Sequence, residues 1–255
     1  MTAFAAVSRM EWIKLRSLRS SWWIMGLFAV SMIGLAIVAL SLQTPAHLSA
    51  QGLASYDPTE QSMEGLTFGV LLGGILGVLV ITGEYSSGLI RATLAAVPRR
   101  PRVLAAKTAV VAAVMLAAGE VLAFAAFFAG EAALNSSLPH ASLSQPGVAR
   151  AVLMAGAFPC LMALIGLGLG ALIRHTAGAI GTVVAVIFVL PLVVLPVPHG
   201  AGIEKFLPLE IGENSLTAVK PVADSLTPWA GLLMMCVYAA AALIAGGVAL
   251  TRRDA

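Results

Sequence analysis

The sequence has few charged residues: Asp, Glu, Lys and Arg make up 11% of its 255 residues, whereas 59% are hydrophobic and the mean hydropathy is +0.95. Soluble domains carry about 25% charged residues. The shortage of charged residues excludes an ordinary soluble domain and indicates an integral membrane protein.

Cysteine is scarce as well. Cys160 and Cys236 both fall in apolar runs, which favours buried hydrophobic residues over a disulfide or a metal pair.

The motifs of several enzyme classes are absent. No GxxxxGK[ST] occurs, which excludes ATP hydrolysis through a P-loop in this chain, and no HExxH occurs, which excludes that class of zinc protease. Serines inside the apolar runs have no histidine nearby to act as a base. The four histidines lie at or beyond the ends of the runs and none pairs at metal-ligand spacing: His47, His140, His175 and His199. We therefore expect no catalytic residue and no metal site, which leaves transport or a structural role in a membrane complex.

Six long apolar runs predict an all-α integral membrane protein with six transmembrane helices. A helix needs about 20 apolar residues, with a range of about 17–25, to cross a hydrocarbon core about 30 Å thick. The predicted spans are 22–42, 66–82, 108–130, 151–173, 177–198 and 229–250. No domain boundary is visible between them, so residues 1–255 are expected to form a single transmembrane domain.

The distribution of Lys and Arg predicts the orientation of these spans. With the N-terminus inside, the inner segments hold Arg9, Lys14, Arg16, Arg19, Arg91, Arg99, Arg100, Arg102, Lys107, Arg174, Arg252 and Arg253, and the outer segments hold Arg150, Lys205 and Lys220. Twelve basic residues against three is a strong positive-inside signal. Because the number of spans is even, both termini are predicted to be cytoplasmic.

A basic stretch between the second and third spans, residues 83–107, reads GEYSSGLIRATLAAVPRRPRVLAAK. At 100° per residue, Glu84, Ser87 and Arg91 fall on one face of a helix, and apolar residues fall on the other. Pro98 ends that helix at about Val97, because the residue before a proline is pushed out of the α region. A half-polar helix followed by arginines is predicted to lie at the membrane surface.

The first 21 residues favour a second surface helix. Phe4, Val7, Leu15 and Leu18 can share one face, with Trp12 at its edge, and the segment is basic. This pattern is typical of an interfacial helix that leads into the membrane. A disordered basic tail is the alternative.

Two features inside the predicted spans point to contacts between helices or to function. The glycines Gly69, Gly73 and Gly77 are spaced by four and form a stripe along which another helix can approach closely. Glu120 is the only carboxylate well inside a predicted span, and such an acid is a functional hypothesis by default. A protonated or hydrogen-bonded carboxyl that fixes helix packing explains Glu120 equally well, and both explanations remain open.

Two segments together carry a resemblance to a known family. EWIKLRSLRSSWW, residues 11–23, resembles the start of bacterial type-2 ABC transporter permeases, and ITGEYSSGLIRATLAAVPRRPRVLAAK, residues 81–107, resembles their first cytoplasmic loop. The six-span layout extends the resemblance over the whole chain. It implies a permease domain in the bacterial cytoplasmic (inner) membrane, surrounded by lipid. It also implies a second permease copy, such as a homodimer, and a separate ATPase subunit that binds ATP and Mg²⁺, with no cofactor in this chain and no nucleic acid.

The resemblance further implies an exporter with a cytoplasmic coupling helix supported by the N-terminal interfacial helix. The residues in the coupling position are Glu84, Tyr85, Ser87, Gly88 and Arg91. The family also has a re-entrant hairpin before the last span, for which residues 199–227 are the candidate. Two other functions remain open from the residues alone: a non-transporting subunit that anchors or assembles partners, and an ion-coupled carrier that works through Glu120.

Overall fold

The computed structural model describes residues 3–44, 56–194, 201–218 and 225–252, and within these ranges every regular element is a helix. In chain order the helices are α1 (Ala3–Ser17), α2 (Arg19–Ser41), α3 (Pro58–Ser62), α4 (Leu66–Ser86), α5 (Leu89–Ala96), α6 (Arg100–Ala133), α7 (Val148–Ile173), α8 (Thr176–Val194), α9 (Ala201–Glu204), α10 (Pro208–Leu216) and α11 (Pro228–Arg252). The all-α prediction is confirmed.

Six of these helices, α2, α4, α6, α7, α8 and α11, are long and apolar enough to cross a membrane, as predicted. The largest difference in boundaries concerns α6, which begins at Arg100 rather than at 108 and runs for 34 residues. At 1.5 Å per residue it is about 51 Å long, against a hydrocarbon core of about 30 Å. Pro101 in its first turn accounts for the early start, because proline is favoured where the N–H group has no helical partner. The predicted end of the fifth span, at 198, lies outside the described residues.

The centre of the bundle is α7, which packs against α4, α6 and α11. In its most apolar 18-residue window 72% of the residues are buried, whereas the values for α2, α8 and α11 are 17–22%. Pro159 lies inside α7 without ending it. The peripheral helices therefore present most of their apolar surface outwards, as a membrane protein requires.

The predicted glycine stripe does allow close helix approach, and the neighbouring helices belong to the same chain. A Cβ atom added at Gly73 would collide with the carbonyl of Pro159, and one at Gly77 with the carbonyl of Ala163. Both carbonyls lie on α7. At Gly69 an added Cβ would lie 2.7 Å from Cε2 of Phe28 on α2. The stripe is therefore filled by α7 and α2, so it is not available to a second permease copy.

The fifth span, α8, contains a π-helical segment, Ala185–Val189, between two α-helical parts. Pro191 follows this segment directly in the helix. Its ring has no N–H to donate to the carbonyl four residues earlier and would crowd that carbonyl in a regular α-helix. The wider π turn before Pro191 relieves the crowding, so the helix continues to Val194.

The bundle has one basic end and one acidic end. Hydrogen bonds join the start of α6 to the last turn of α11 and join α1 to α4 and α6, so these segments meet at the same end. Among the Lys and Arg residues that the structure describes, all except Arg150 and Lys205 lie at this end. Arg253 and Lys220, which entered the predicted charge bias, lie outside the described residues.

Candidate functional site

The stretch after the second span does not form the single amphipathic helix predicted from its periodicity. The second span continues to Ser86, and α5 begins only at Leu89. Gly88 separates them with φ 72°, in the left-handed region that favours glycine. Because the chain turns there, the shared face predicted for Glu84, Ser87 and Arg91 does not exist. The end of α5 at Ala96, just before Val97 and Pro98, agrees with the prediction.

Glu84 is buried rather than free to meet another protein, which corrects the predicted exposure of this residue. It is 6% exposed, and its carboxylate accepts hydrogen bonds from Lys107 at 2.6 Å and from Lys14 at 2.8 Å. By contrast, Ser87, Gly88 and Arg91 are exposed. The residues predicted as one coupling face are thus divided between an internal contact and an outer surface.

The buried contact is an ion cluster made by Glu11, Lys14, Glu84 and Lys107. Lys107 Nζ lies 2.5 Å from Oε2 of Glu11 and 2.6 Å from Oε1 of Glu84. Lys14 Nζ lies 3.1 Å from Oε1 of Glu11 and 2.8 Å from Oε1 of Glu84. Lys14 also donates to Oγ1 of Thr93 on α5 at 3.0 Å. The ion cluster therefore joins α1, α4, α5 and α6 at one point.

The charges of the ion cluster balance, which explains how it can be buried. Two carboxylates face two ammonium groups, and the Lys107 side chain is only 1% exposed. A buried charge is costly unless it is paired and hydrogen-bonded. Lys107 Nζ also lies 3.5 Å from the carbonyl oxygen of Val80, so all of its donors have partners. The short distances and the balanced charge indicate that the four side chains fold as a unit.

Sequence reasoning missed most of this ion cluster. Lys107 was predicted as a charge of the cytoplasmic loop, whereas its side chain is buried. Glu11 and Lys107 are separated by 96 residues, so no local spacing relates them. One local signal was present: Glu11 and Lys14 are three residues apart in a segment predicted to be helical, where such residues are neighbours.

The predicted N-terminal helix forms as α1, but only some of the apolar residues predicted for its one face are buried. Val7 and Leu15 are buried, on either side of Glu11, whereas Phe4 and Leu18 are more than 40% exposed. Leu18 has an extended backbone that separates α1 from α2. The indole N–H of Trp22 then donates to the carbonyl of Arg16 across this bend at 2.9 Å. The position of α1 at a membrane surface stays a prediction.

A groove of about 720 Å³ opens beside the ion cluster, at the same end of the bundle. Its lining comes from the α4–α5 turn, from α5 and from the α7–α8 turn: Tyr85, Ser86, Gly88, Ile90, Arg91, Arg174, His175, Thr176 and Ala177. The guanidinium of Arg174 lies 5.2 Å from the centre of the Tyr85 ring and donates to the carbonyl of Ala249 at 2.9 Å. We call this surface the basic-end groove. Three of the five residues in the predicted coupling position line it, namely Tyr85, Gly88 and Arg91. Ser87 is exposed outside this lining, and Glu84 is held inside.

Glu120 lies near the middle of α6, where Gly156 of α7 faces it. A Cβ atom at Gly156 would lie 2.7 Å from Cδ of Glu120, so the two helices cross closely at this point. Oε2 of Glu120 is buried without a hydrogen-bond partner among the described residues. An ionised carboxylate in this setting would be costly, which favours a neutral group. Its role in packing or in transport stays a prediction.

The opposite end of the bundle is held by Asp57 and Arg150. Asp57 caps α3 by accepting from the N–H of Thr59 at 3.0 Å and accepts from the N–H of Ala218 at 2.6 Å. Arg150 donates to the carbonyls of Ser215 and Thr217 at the end of α10. Acidic side chains crowd this end: burial and then the nearby Glu210 raise the pKa of Glu213.

The segment considered for a re-entrant hairpin, 199–227, is described only in part. It contains α9 and α10, and residues 199–200 and 219–224 lie outside the described residues. Within the described part of the chain, no group of three or more His, Cys, Asp or Glu side chains is placed to hold a metal ion.

The family model of the ABC-2 family transporter proteins matches residues 8–193. The matched range begins within α1 and ends within α8, and it includes five of the six spans, the ion cluster and the basic-end groove. No curated protein matches the chain.

Proposed function

The chain belongs to the ABC-2 transporter family, and from this premise we propose that it is the permease subunit of an ATP-driven exporter powered by a separate ATPase subunit. Family membership makes the chain a membrane-spanning ABC transporter subunit that is not itself catalytic. ATP and Mg²⁺ are bound by the partner subunit, and two permease copies form the pathway. The protein lies in a bacterial cytoplasmic membrane with both termini in the cytoplasm.

The observation that carries this proposal is the ion cluster beside the basic-end groove. The groove offers an exposed turn and a short helix to a partner, and the ion cluster ties that helix to the ends of α4 and α6. A force applied to α5 is therefore passed to two spans through short hydrogen bonds. A surface that moves together with the spans is what an ATPase needs in order to drive them.

The basic-end groove is suited to a protein partner by its mixture of groups. Tyr85 supplies apolar contact area, whereas Arg91 and Arg174 supply positive charge. Tyrosine and arginine are enriched among residues that dominate protein interfaces. We propose that Ser87, Gly88 and Arg91 contact the ATPase directly. Glu84 supports that contact from inside.

The test is co-purification of the protein with a P-loop ATPase from mild detergent, followed by measurement of ATP turnover in liposomes. We expect Arg91→Glu to reduce the recovered ATPase at least about tenfold, which corresponds to about 1.4 kcal/mol of binding energy. Arg16→Glu is the matched control, because Arg16 is also exposed at the basic end but does not line the groove. Equal recovery with both variants would remove the groove as the docking site. Absence of any ATPase would leave an anchoring subunit as the better explanation.

A further inference from the structure

A second groove lies between α6 and α11, on the flank of the bundle. It has a volume of about 600 Å³, and its lining is almost entirely apolar, with Leu104 and Gly247 at its base and Ala105, Ala109, Ile244 and Val248 beside them. The last four of these residues are exposed on the surface of the bundle. This α6–α11 groove takes no part in the proposed docking of an ATPase.

The α6–α11 groove is about as long as one leaflet of a bilayer is thick. It extends along α6 from Pro101 to Ala112, which is about 16 Å at 1.5 Å per residue. Half of the hydrocarbon core of a bilayer is about 15 Å thick. Its lower end lies at the basic end of the bundle, because Arg100 donates to the carbonyl of Leu250 at 2.9 Å and thereby joins the start of α6 to the last turn of α11.

Positive charge flanks the end of the α6–α11 groove that lies at the basic end of the bundle. Arg102 follows Pro101 on α6, and Arg252 follows Thr251 on α11; both arginine side chains are exposed. Arginine side chains at the ends of spans reach the headgroup region while their stems stay against apolar surface. Basic pockets between transmembrane helices bind anionic lipid headgroups.

We propose that the α6–α11 groove binds one anionic glycerophospholipid, with an acyl chain against α6 and α11 and its phosphate between Arg102 and Arg252. A second copy of the chain fits this surface poorly. In a two-fold symmetric contact the same patch faces itself, so the arginines of both copies would come together at the same depth. Like charges brought together in this way oppose association.

The test measures lipid binding by native mass spectrometry, on the full chain stripped of lipid in a neutral detergent. Dioleoyl phosphatidylglycerol and dioleoyl phosphatidylcholine are added separately, because they share acyl chains and differ in charge. We expect one tightly bound phosphatidylglycerol. The pair Arg102→Gln and Arg252→Gln should weaken its binding about 25-fold, which is about fivefold for each arginine, and leave phosphatidylcholine unchanged. Arg16→Gln, outside the groove, is the control and should bind as the wild type.

A second pair of variants separates the acyl chain from the headgroup. Ala109→Phe fills the groove and should remove the tight lipid of either type, whereas Ala113→Phe places the same side chain on an exposed position of α6 outside the groove. Equal binding by these two variants would overturn the proposal. It would also be overturned if Ala109→Cys, in a Cys236→Ser background, cross-links to a second copy in membranes, because the occupant would then be protein.

Discussion

Replacement of Lys107 is the most direct perturbation of the ion cluster. Lys107 Nζ lies 2.5 Å from Glu11 and 2.6 Å from Glu84, and its side chain is 1% exposed. Lys107→Met keeps the length of the side chain but leaves two buried carboxylates with only Lys14 between them. Breaking a buried pair in this way costs about 3–5 kcal/mol, since an uncompensated charge stays inside. We expect a loss of that size in the free energy of unfolding.

Two further variants show whether charge balance is the cause. Lys14→Met should cost less, about 1–3 kcal/mol, because Lys14 is 21% exposed and Lys107 still bridges the two carboxylates. The double variant Glu84→Gln and Lys107→Met removes one buried ion pair and leaves Glu11 paired with Lys14. It should recover most of the stability that Lys107→Met alone loses, because replacing a whole buried ion pair is often close to neutral.

The assay is equilibrium unfolding by SDS in mixed micelles at pH 7, followed by tryptophan fluorescence. Trypsin cleavage near Arg16 and Arg19, at the end of α1, supplies a local measurement of whether α1 has detached. The reasoning is refuted if Lys107→Met costs under about 1 kcal/mol, or if the double variant is no more stable than Lys107→Met. Either result would mean that the charges are solvated and that α1 is held by its apolar contacts.

Three other predictions concern the spans. Gly73→Leu should insert into the membrane but fail to fold, because the leucine side chain would displace the Pro159 carbonyl. We expect loss of the monodisperse peak in size-exclusion chromatography, and normal elution would contradict the prediction. Glu120→Gln should keep most transport per amount of protein in the membrane if the carboxyl is neutral, and complete loss would favour a direct role in transport. Reporter fusions should read outside at residues 140 and 215 and inside at 100, and an inside reading at 140 would overturn the orientation.

The number and order of the spans could be predicted because each depends on a local property, the length of an apolar run. The end of α5 could also be predicted, since Pro98 acts on its immediate neighbour. The start of α6 was missed because the arginines before residue 108 were taken as loop residues. Pro101 was the local signal that a helix begins there.

The candidate site was harder to predict because it depends on contacts between distant parts of the chain. A hydropathy profile assigns every charged residue to a solvent-exposed segment, so it places Lys107 and Glu84 outside the bundle. The energetic cost of burying these residues is offset only by their contacts with Glu11 and Lys14 of α1, and the sequence alone does not reveal those long-range contacts. The glycine stripe was recognised, but periodicity alone does not say which helix fills it.

The ion cluster also sets an order of events during synthesis. Glu11 and Lys14 leave the ribosome first, and Lys107 follows Glu11 by 96 residues. At about 5–20 residues per second, that interval is about 5–20 s. During this interval α1 has been synthesised, but Lys107, the partner that allows Glu11 to be buried, has not. The docking of α1 is therefore a late step of assembly, completed only after the second span has been made and the third has begun to emerge.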